Sequence, residues 1–295
     1  MAHRLTTIKA SDGRALGVAQ WGDPDGSAVF GLHGTPGSRF GRPPDEAGLA
    51  RAGLRVLTYD RPGYGVSERR PGRRVVDCAE DVAAIADALG LDRFAVTGGS
   101  GGGPHALAVA ARLASRVTAA ECRVGVAPFD AEGLDWWAGM DPQNVEEFRW
   151  ALQGEQVLRD RLAPLAEQDL ARIAKDPSKI LSDDWQLADA DREKLARPDV
   201  QRVFSEDMRA AYAAGVWGWV DDDLAFVTGW GFDLEEIAVP VTVRYGAQDV
   251  LVPAGHGAWL AAHVPGARAV VHTEGGHLSD PDTRVEELRA LVAAG

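Results

Sequence analysis

The 295-residue sequence has few cysteines and no long apolar run. Its two cysteines, Cys78 and Cys122, are too few for a disulfide framework and show no C-x-x-C spacing. Both lie among apolar neighbours, so we expect buried packing residues. No uninterrupted apolar run reaches the roughly 18 residues of a membrane span, and Met1 to Ala10 lacks the apolar core of a signal peptide. The expectation is a soluble, cytoplasmic protein without a membrane partner.

Basic residues are also scarce. There are 31 Lys and Arg against 44 Asp and Glu, which gives a net charge of -13. Such a surface repels phosphate backbones, so no nucleic-acid partner is expected. No cluster of His, Cys, Asp and Glu has metal-ligand spacing, and we expect neither a metal nor another cofactor. With 45% apolar residues, the length suffices for one large α/β core and an inserted unit.

Short apolar runs separated by Gly- and Pro-rich turns predict strands in the first part of the chain, and one run has helical periodicity. The predicted elements are a hairpin of Arg4–Lys9 and Ala15–Trp21, strands Ala28–Leu32, Leu54–Tyr59 and Arg93–Thr97, and a helix Val75–Leu89. Strands that alternate with helices in this way predict a doubly wound, mostly parallel α/β sheet. Ligands bind such sheets at the carboxyl ends of the strands.

The sequence Gly98-Gly99-Ser100-Gly101-Gly102 lies between the strand Arg93–Thr97 and an alanine-rich helix, His105–Leu113. A serine between a strand end and a helix start is held in a strained turn that only small neighbours tolerate. The free N–H groups of the helix also favour negative charge at that point. The pattern is typical of a catalytic nucleophile, and also of a Gly-rich turn that only joins two elements or binds a phosphate.

Three motifs in this order resemble the α/β-hydrolase superfamily. They are His33-Gly34-x-Pro36-Gly37, Asp60-Arg61-Pro62-Gly63-Tyr64-Gly65 and the Ser100 turn. The similarity continues where strand Val239–Tyr245 leads to Asp249 and strand Arg268–Thr273 leads to His277. The resemblance implies a triad of Ser100, Asp249 and His277 in the chain order of that family. It also implies an oxyanion hole formed by the backbone N–H groups of Thr35 and Gly101.

The triad assignment has a chemical reason. A serine hydroxyl attacks at neutral pH only when a base takes its proton, and a neutral imidazole suits that task. A buried carboxylate then orients the imidazole and stabilises its charged form. The other candidates have different expected roles. Asp130 is a second candidate for the acid, His33 is expected to brace the oxyanion loop, and His105 and His272 are expected to be core residues.

Between Pro128 and Trp230 the strand-like runs disappear. Amphipathic segments are predicted at Asn144–Leu162, Leu165–Ala174 and Val200–Ala214, with breaks at Pro164, Pro177 and Pro198. This stretch resembles the helical cap of many α/β-hydrolases. The resulting domain prediction is a core of residues 1–127 and 231–295 with a cap of residues 128–230.

The predicted cap carries seven of the nine tryptophans. We expect Trp136, Trp137, Trp217 and Trp219, together with His33, to line a mostly apolar substrate pocket. The alternative is that the tryptophans only pack the cap helices together. The run Asp221-Asp222-Asp223 is interpreted as a solvated face or a helix cap.

The resulting functional prediction is a serine hydrolase that cleaves a small to medium ester, with an apolar acyl or aromatic group, through an acyl-enzyme. One alternative is an aminopeptidase resembling proline iminopeptidases, although Thr35 replaces their glycine and Asp60-Arg61-Pro62-Gly63 replaces their Asp-Gln-Arg-Gly. That activity needs acidic residues for a substrate amine, for which Glu146, Glu147 or Asp221 are candidates. Another alternative is a ligand-binding protein that has kept the fold without turnover.

Overall fold

A computed structural model of the chain describes residues 4–179 and 185–295. Residues 1–3 and 180–184, which the predicted core and cap ranges include, lie outside the described residues. Eight strands form one sheet in the order β1-β2-β4-β3-β5-β6-β7-β8. They are β1 Arg4–Lys9, β2 Ala15–Gly22, β3 Ser27–Leu32, β4 Leu54–Tyr59, β5 Phe94–Gly99, β6 Val117–Arg123, β7 Val241–Gly246 and β8 Arg268–His272.

Strand β2 is antiparallel to both β1 and β4, and the other neighbouring strands are parallel. The predicted mostly parallel α/β sheet is therefore confirmed. The helices outside the β6–β7 connection are α1 Glu46–Arg51, α2 Cys78–Ala88, α3 Gly102–Arg112, α9 Ala254–His263 and α10 Arg284–Ala293. Helices α2, α3 and α9 contribute to the core on one face of the sheet, and α1 and α10 contribute to the core on the other. This arrangement follows from the alternation of side chains along a strand, because Phe30 joins the first core and Val29 the second.

Residues 124–179 and 185–240, between β6 and β7, form what we call the helical segment. Its helices are α4 Pro142–Ala151, α5 Glu155–Lys175, α6 Asp189–Leu195, α7 Pro198–Ala211 and α8 Trp217–Phe226. Part of it packs on the sheet, since Trp136, Phe148 and Phe226 belong to the core formed with α2 and α3. The rest has an apolar cluster of its own around Leu158, Leu162 and Val220. Within the described residues, no helix is long and apolar enough to cross a membrane.

The predicted break at Pro164 is wrong, because α5, which is 21 residues long, continues through it. An internal proline removes one helical hydrogen bond and costs about 3 kcal/mol. Helix α5 nevertheless keeps one buried stripe on both sides of it, formed by Leu158, Leu162, Ala166 and Ile173. Burial of that stripe outweighs the lost bond. The chain instead breaks at Gly154, which has φ 102° and separates α4 from α5.

The expectation of a solvated acidic run in α8 is also wrong. Asp221, Asp222 and Asp223 are only 2%, 0% and 1% exposed. Buried carboxylates need partners, because an isolated charge is costly away from water. The Cys78 and Cys122 thiols are buried and free, as predicted.

Candidate active site

Ser100 occupies the turn between the end of β5 at Gly99 and the start of α3 at Gly102. Its φ of 54° is unusual for a residue other than glycine and marks a strained turn. The turn is also very tight. A Cβ on Gly98 would lie 1.9 Å from the carbonyl oxygen of Gly102, and a Cβ on Gly102 would lie 2.2 Å from that of Leu32. Glycine is thus required on both sides of the half-buried serine.

Replacing Gly98 with alanine is expected to reduce the free energy of unfolding by about 3 kcal/mol, because the new methyl group meets backbone that cannot move aside. The matched control is Gly229→Ala, where a Cβ meets nothing within 4 Å. That control is expected to be neutral or to stabilise by up to about 1 kcal/mol. Urea unfolding of the two variants measures the difference. Equal midpoints would show that the turn relaxes around the added methyl group.

The loop after β3 lies directly against this turn. A Cβ on Gly34 would lie 3.5 Å from Ser100 Cβ, and one on Gly101 would lie 2.2 Å from Thr35 Oγ1. Within residues 4–179 and 185–295, no hydrogen bond is found for the backbone N–H of Thr35 or of Gly101. Two unpaired donors beside a serine hydroxyl, at the start of α3, form a suitable environment for an oxyanion.

His33 is buried within the same loop. Its Nδ1 donates to the carbonyl oxygen of Gly34 at 2.7 Å, and its Nε2 accepts from the N–H of Arg61 at 3.1 Å. Two effects lower the pKa of His33 well below its usual value: burial is the larger, and the positive charge of Arg61 is the second. The ring is therefore neutral, and both of its nitrogens brace the loop.

Asp249 follows β7 and is 5% exposed. One carboxylate oxygen, Oδ1, accepts the N–H groups of Leu251 and Val252, each at 2.9 Å. The other, Oδ2, lies 2.8 Å from Nδ1 of His277. The imidazole is thus oriented by a carboxylate whose own position is fixed by the backbone.

Two opposing effects set the pKa of His277. Burial disfavours a charged imidazole, but the charge and the hydrogen bond of Asp249 outweigh it and raise the pKa above the usual value. This is the environment of a base whose protonated form is stabilised when it accepts a proton.

The remaining candidates lie elsewhere. Asp130 is exposed in the connection after β6, and it is Asp249 that bonds to His277. His105 is buried as expected, with Nδ1 donating to the carbonyl oxygen of Gly101 at 2.7 Å and its pKa lowered to about 3 by burial and by Arg61. His272 was expected in the core, but it is exposed on β8, the last strand of the sheet. Within the part of the chain that the structure describes, no three His, Cys, Asp or Glu side chains are grouped to hold a metal ion.

Asp191, in the helical segment, holds the backbone of the His277 loop. It is 1% exposed, and its two oxygens accept the N–H groups of His277 at 2.6 Å and Leu278 at 2.9 Å. Lys194 adds a bond from Nζ to the carbonyl oxygen of Leu278 at 2.7 Å. No pattern in the sequence predicts this contact, because Asp191 is one of five charged residues on a short helix.

The four tryptophans predicted to line a pocket have different environments. Trp136 packs among core aromatics and donates from Nε1 to the carbonyl oxygen of Ala127 at 3.0 Å. Trp137 is half-buried against it, with ring centroids 5.1 Å apart. Trp219 donates to Glu147 at 2.8 Å, and Trp217 lies under the Arg69 guanidinium, 3.8 Å from ring centroid to Cζ. Among the described contacts, none joins these tryptophans to Ser100, Asp249 or His277, so their pocket role stays a prediction.

Comparison with known proteins agrees with this architecture. The chain is 29% identical over 252 residues to a non-heme chloroperoxidase of Streptomyces lividans, covering 84% of each chain. It is 28% identical over 248 residues to a pimeloyl-[acyl-carrier protein] methyl ester esterase of Nitrosomonas europaea, covering 81% of this chain and 85% of that one. Similarity to a proline iminopeptidase of Xanthomonas citri is local, with 34% identity over 117 residues that cover 36% of this chain and 34% of that one.

Among solved structures, an alpha/beta hydrolase fold protein from Nakamurella multipartita superposes with a TM-score of 0.67 at 24% identity. It covers 99% of this chain and 100% of its own. A family model described as alpha/beta hydrolase fold matches residues 28–279, from β3 to just beyond His277. With the sheet order, the tight turn at Ser100 and this match over most of its length, the chain belongs to the alpha/beta hydrolase fold family.

Proposed function

We propose that the chain is a serine hydrolase that cleaves small to medium carboxylic esters through an acyl-enzyme. The observation that carries the proposal is the 2.8 Å bond between Asp249 and His277, which orients a histidine base. Ser100 and the unpaired N–H groups of Thr35 and Gly101 follow parallel strands β5 and β3. Carboxyl ends of parallel strands meet at one edge of a sheet, and Asp249 follows β7 at that same edge.

The reaction follows from these positions. Ser100 Oγ attacks the ester carbonyl carbon while its proton passes to Nε2 of His277, and the imidazolium is stabilised by Asp249. The carbonyl oxygen becomes an oxyanion, which accepts hydrogen bonds from Thr35 and Gly101. When the C–O bond to the alcohol breaks, His277 returns the proton to the leaving oxygen. Water then repeats the two steps on the acyl-enzyme and releases the acid.

The helical segment, and within it residues 128–230, is proposed to act as a cap over this site. Two contacts support the proposal. A Cβ on Gly101 would lie 3.0 Å from Cζ of Phe226 on α8, and Asp191 bonds to the His277 loop. A cap that reaches both sides of the triad excludes water and shapes an apolar pocket, which suits an aliphatic or aromatic ester of a small molecule.

Burst kinetics with p-nitrophenyl butyrate tests the ester reaction. If acylation is faster than deacylation, p-nitrophenol appears in a burst equal to the enzyme concentration, followed by a slower steady rate. A fluorophosphonate probe is expected to label Ser100 in the same preparation, as read by peptide mass spectrometry. Absence of both turnover and labelling would contradict the proposal and would favour a protein that binds ligands without turnover.

A second candidate function is an aminopeptidase. Of the acidic residues considered for a substrate amine, Asp221 is paired with Arg69 at 2.8 Å and Glu146 is exposed. Glu147 remains, hydrogen-bonded to Asp223, and burial raises the pKa of both carboxyl groups. A substrate ammonium group would favour their ionisation. Turnover of prolyl-2-naphthylamide in preference to the p-nitrophenyl ester would support this activity over the esterase.

A further inference from the structure

The carboxylate of Asp222 is the centre of a largely buried polar cluster behind the oxyanion loop. Asp222, on α8, is 0% exposed. Its oxygens accept hydrogen bonds from the guanidinium of Arg61 at 2.5 Å, from Tyr64 at 2.9 Å and from the hydroxyl of Thr35 at 2.6 Å. Arg73 adds an ion pair at 2.7 Å. One carboxylate thus satisfies donors from the loop after β3 and from the connection after β4.

Arg61 transmits this anchoring to the backbone of the oxyanion loop. Its Nη2 donates to the carbonyl oxygen of Gly34 at 2.9 Å and to Thr35 Oγ1 at 3.1 Å. Its Nη1 donates to the carbonyl oxygen of His33 at 2.5 Å. Because Arg61 is itself fully buried, its position depends on the carboxylate that neutralises it.

The bond to Gly34 has a geometric consequence for catalysis. The carbonyl of Gly34 and the N–H of Thr35 belong to one peptide unit, and in a trans peptide they point in opposite directions. Arg61 holds the carbonyl, so it also fixes the direction of the N–H of the same peptide unit, and a Cβ on Gly34 would lie 3.5 Å from Ser100 Cβ. The guanidinium also polarises this peptide unit, which strengthens its N–H as a donor.

We propose that Asp222 is a positioning residue for the oxyanion hole, acting through Arg61 and the Thr35 hydroxyl to hold the Gly34–Thr35 peptide with its N–H towards the substrate oxygen. Its part in catalysis rests on the proposed hydrolase function. Its part in ordering the loop does not. The contact also joins the helical segment to the hole, so a disturbed α8 disturbs the catalytic step rather than substrate binding alone.

The first test compares Asp222→Asn with Asp81→Asn. Asp81, on α2, is a matched control because it is 1% exposed and forms an ion pair with Arg14 at 2.8 Å. Both variants lose a buried carboxylate and are expected to melt at lower temperature. Only Asp222→Asn is expected to lower kcat for p-nitrophenyl butyrate about 10²-fold, the loss typical of one oxyanion donor, with KM nearly unchanged. Its affinity for an alkyl trifluoromethyl ketone, which forms an oxyanion on Ser100, is expected to fall in parallel.

The second test removes only the direct link between the loop and Asp222. Thr35→Val lacks the hydroxyl and is expected to lower kcat about tenfold, whereas Thr35→Ser keeps it and is expected to restore most of the rate. This pair decides the question if Asp222→Asn does not fold. Equal kcat values and equal ketone affinities in Thr35→Val and Thr35→Ser would overturn the inference, as would an Asp222→Asn variant that is folded and as active as the wild type.

Hydrogen exchange provides a readout that is independent of activity. The amide of Arg61, which donates to His33 Nε2, and that of Tyr64, which donates to the carbonyl oxygen of Arg61, are expected to exchange about tenfold faster in Asp222→Asn than in the wild type, with no such change in Asp81→Asn. Unchanged exchange would overturn the loop-ordering role. If the loop is loosened but wild type and Ser100→Ala have the same esterase rate, the proposed function fails and the positioning of the loop stands. If the wild type depends on Ser100 but Asp222→Asn matches it in every readout, the inference alone fails.

Discussion

Replacing Ser100 with alanine is expected to lower kcat for p-nitrophenyl butyrate about 10⁶-fold, because no acyl-enzyme forms without Oγ. The rest of the site stays in place. In the proposed mechanism the N–H groups of Thr35 and Gly101 remain to bind a developing oxyanion, so a rate of about 10³-fold over water is expected to remain. Stopped-flow absorbance at p-nitrophenol wavelengths measures the rate, and the burst is expected to disappear with it.

Ser115→Ala is the control, since Ser115 is exposed beyond the end of α3. Its kcat is expected to stay within about twofold of the wild type. A Ser100→Ala variant that retained a tenth or more of the wild-type rate would show that another group attacks the ester. Retained activity would also remove the reason for the strained φ at Ser100, which a simple connecting turn does not need.

Asp249→Asn is expected to lower kcat about 10⁴-fold while leaving the chain folded. The asparagine keeps an oxygen for the N–H groups of Leu251 and Val252, which hold Asp249 now. Its amide presents a donor to His277 Nδ1, so the imidazole turns to the wrong tautomer and its charged form loses the stabilising carboxylate. Asp130→Asn, at the other candidate acid, is expected to stay within about twofold. A reversed pattern would move the acid to the connection after β6.

The pH dependence of kcat/KM is an independent test of the pairing between Asp249 and His277. In the proposed mechanism His277 acts as a base only when neutral, so activity is expected above its pKa and is expected to fall about tenfold per pH unit below it. In the wild type, Asp249 raises that pKa over the effect of burial, which places the inflection above about 6.5. In Asp249→Asn the largest remaining effect is burial, which lowers the pKa. The inflection is therefore expected to move to lower pH, and an unmoved inflection would contradict the pairing.

The sequence was most informative where the local pattern alone determines the structure. Strands β1 and β4 begin and end at the predicted residues, because apolar or alternating runs bounded by turn residues leave few alternatives. The prediction failed where distant contacts decide. Helix α5 continues through Pro164 because its buried stripe continues on both sides, and a proline by itself carries no information about that stripe.

The residues of the candidate site were likewise predicted where a motif identifies them and missed where only distant contacts do. Ser100, Asp249 and His277 were named from motifs and chain order, and the structure brings Asp249 and His277 together. Asp191 and Asp222 were not recognised, because each acts through the backbone or side chain of a residue far away in the sequence. One signal for Asp222 was present. Three consecutive aspartates stand within the otherwise apolar stretch Trp217–Phe226, and charges in such a stretch are more often paired and buried than solvated.

Those three aspartates also contribute to how α8 is rotated about its own axis. Successive residues of a helix are 100° apart, so Asp221, Asp222 and Asp223 point in three directions and meet Arg69, Arg61 and Glu147 respectively. Turning the helix by one residue would bring a different carboxylate to Arg61 and leave at least one charge without its partner. Most globular helices are oriented by an apolar stripe. Helix α8 is buried along most of its length, and its rotation is set by the ion pairs of Asp221 and Asp222 together with the packing of Val220 and Phe226 in two different apolar clusters.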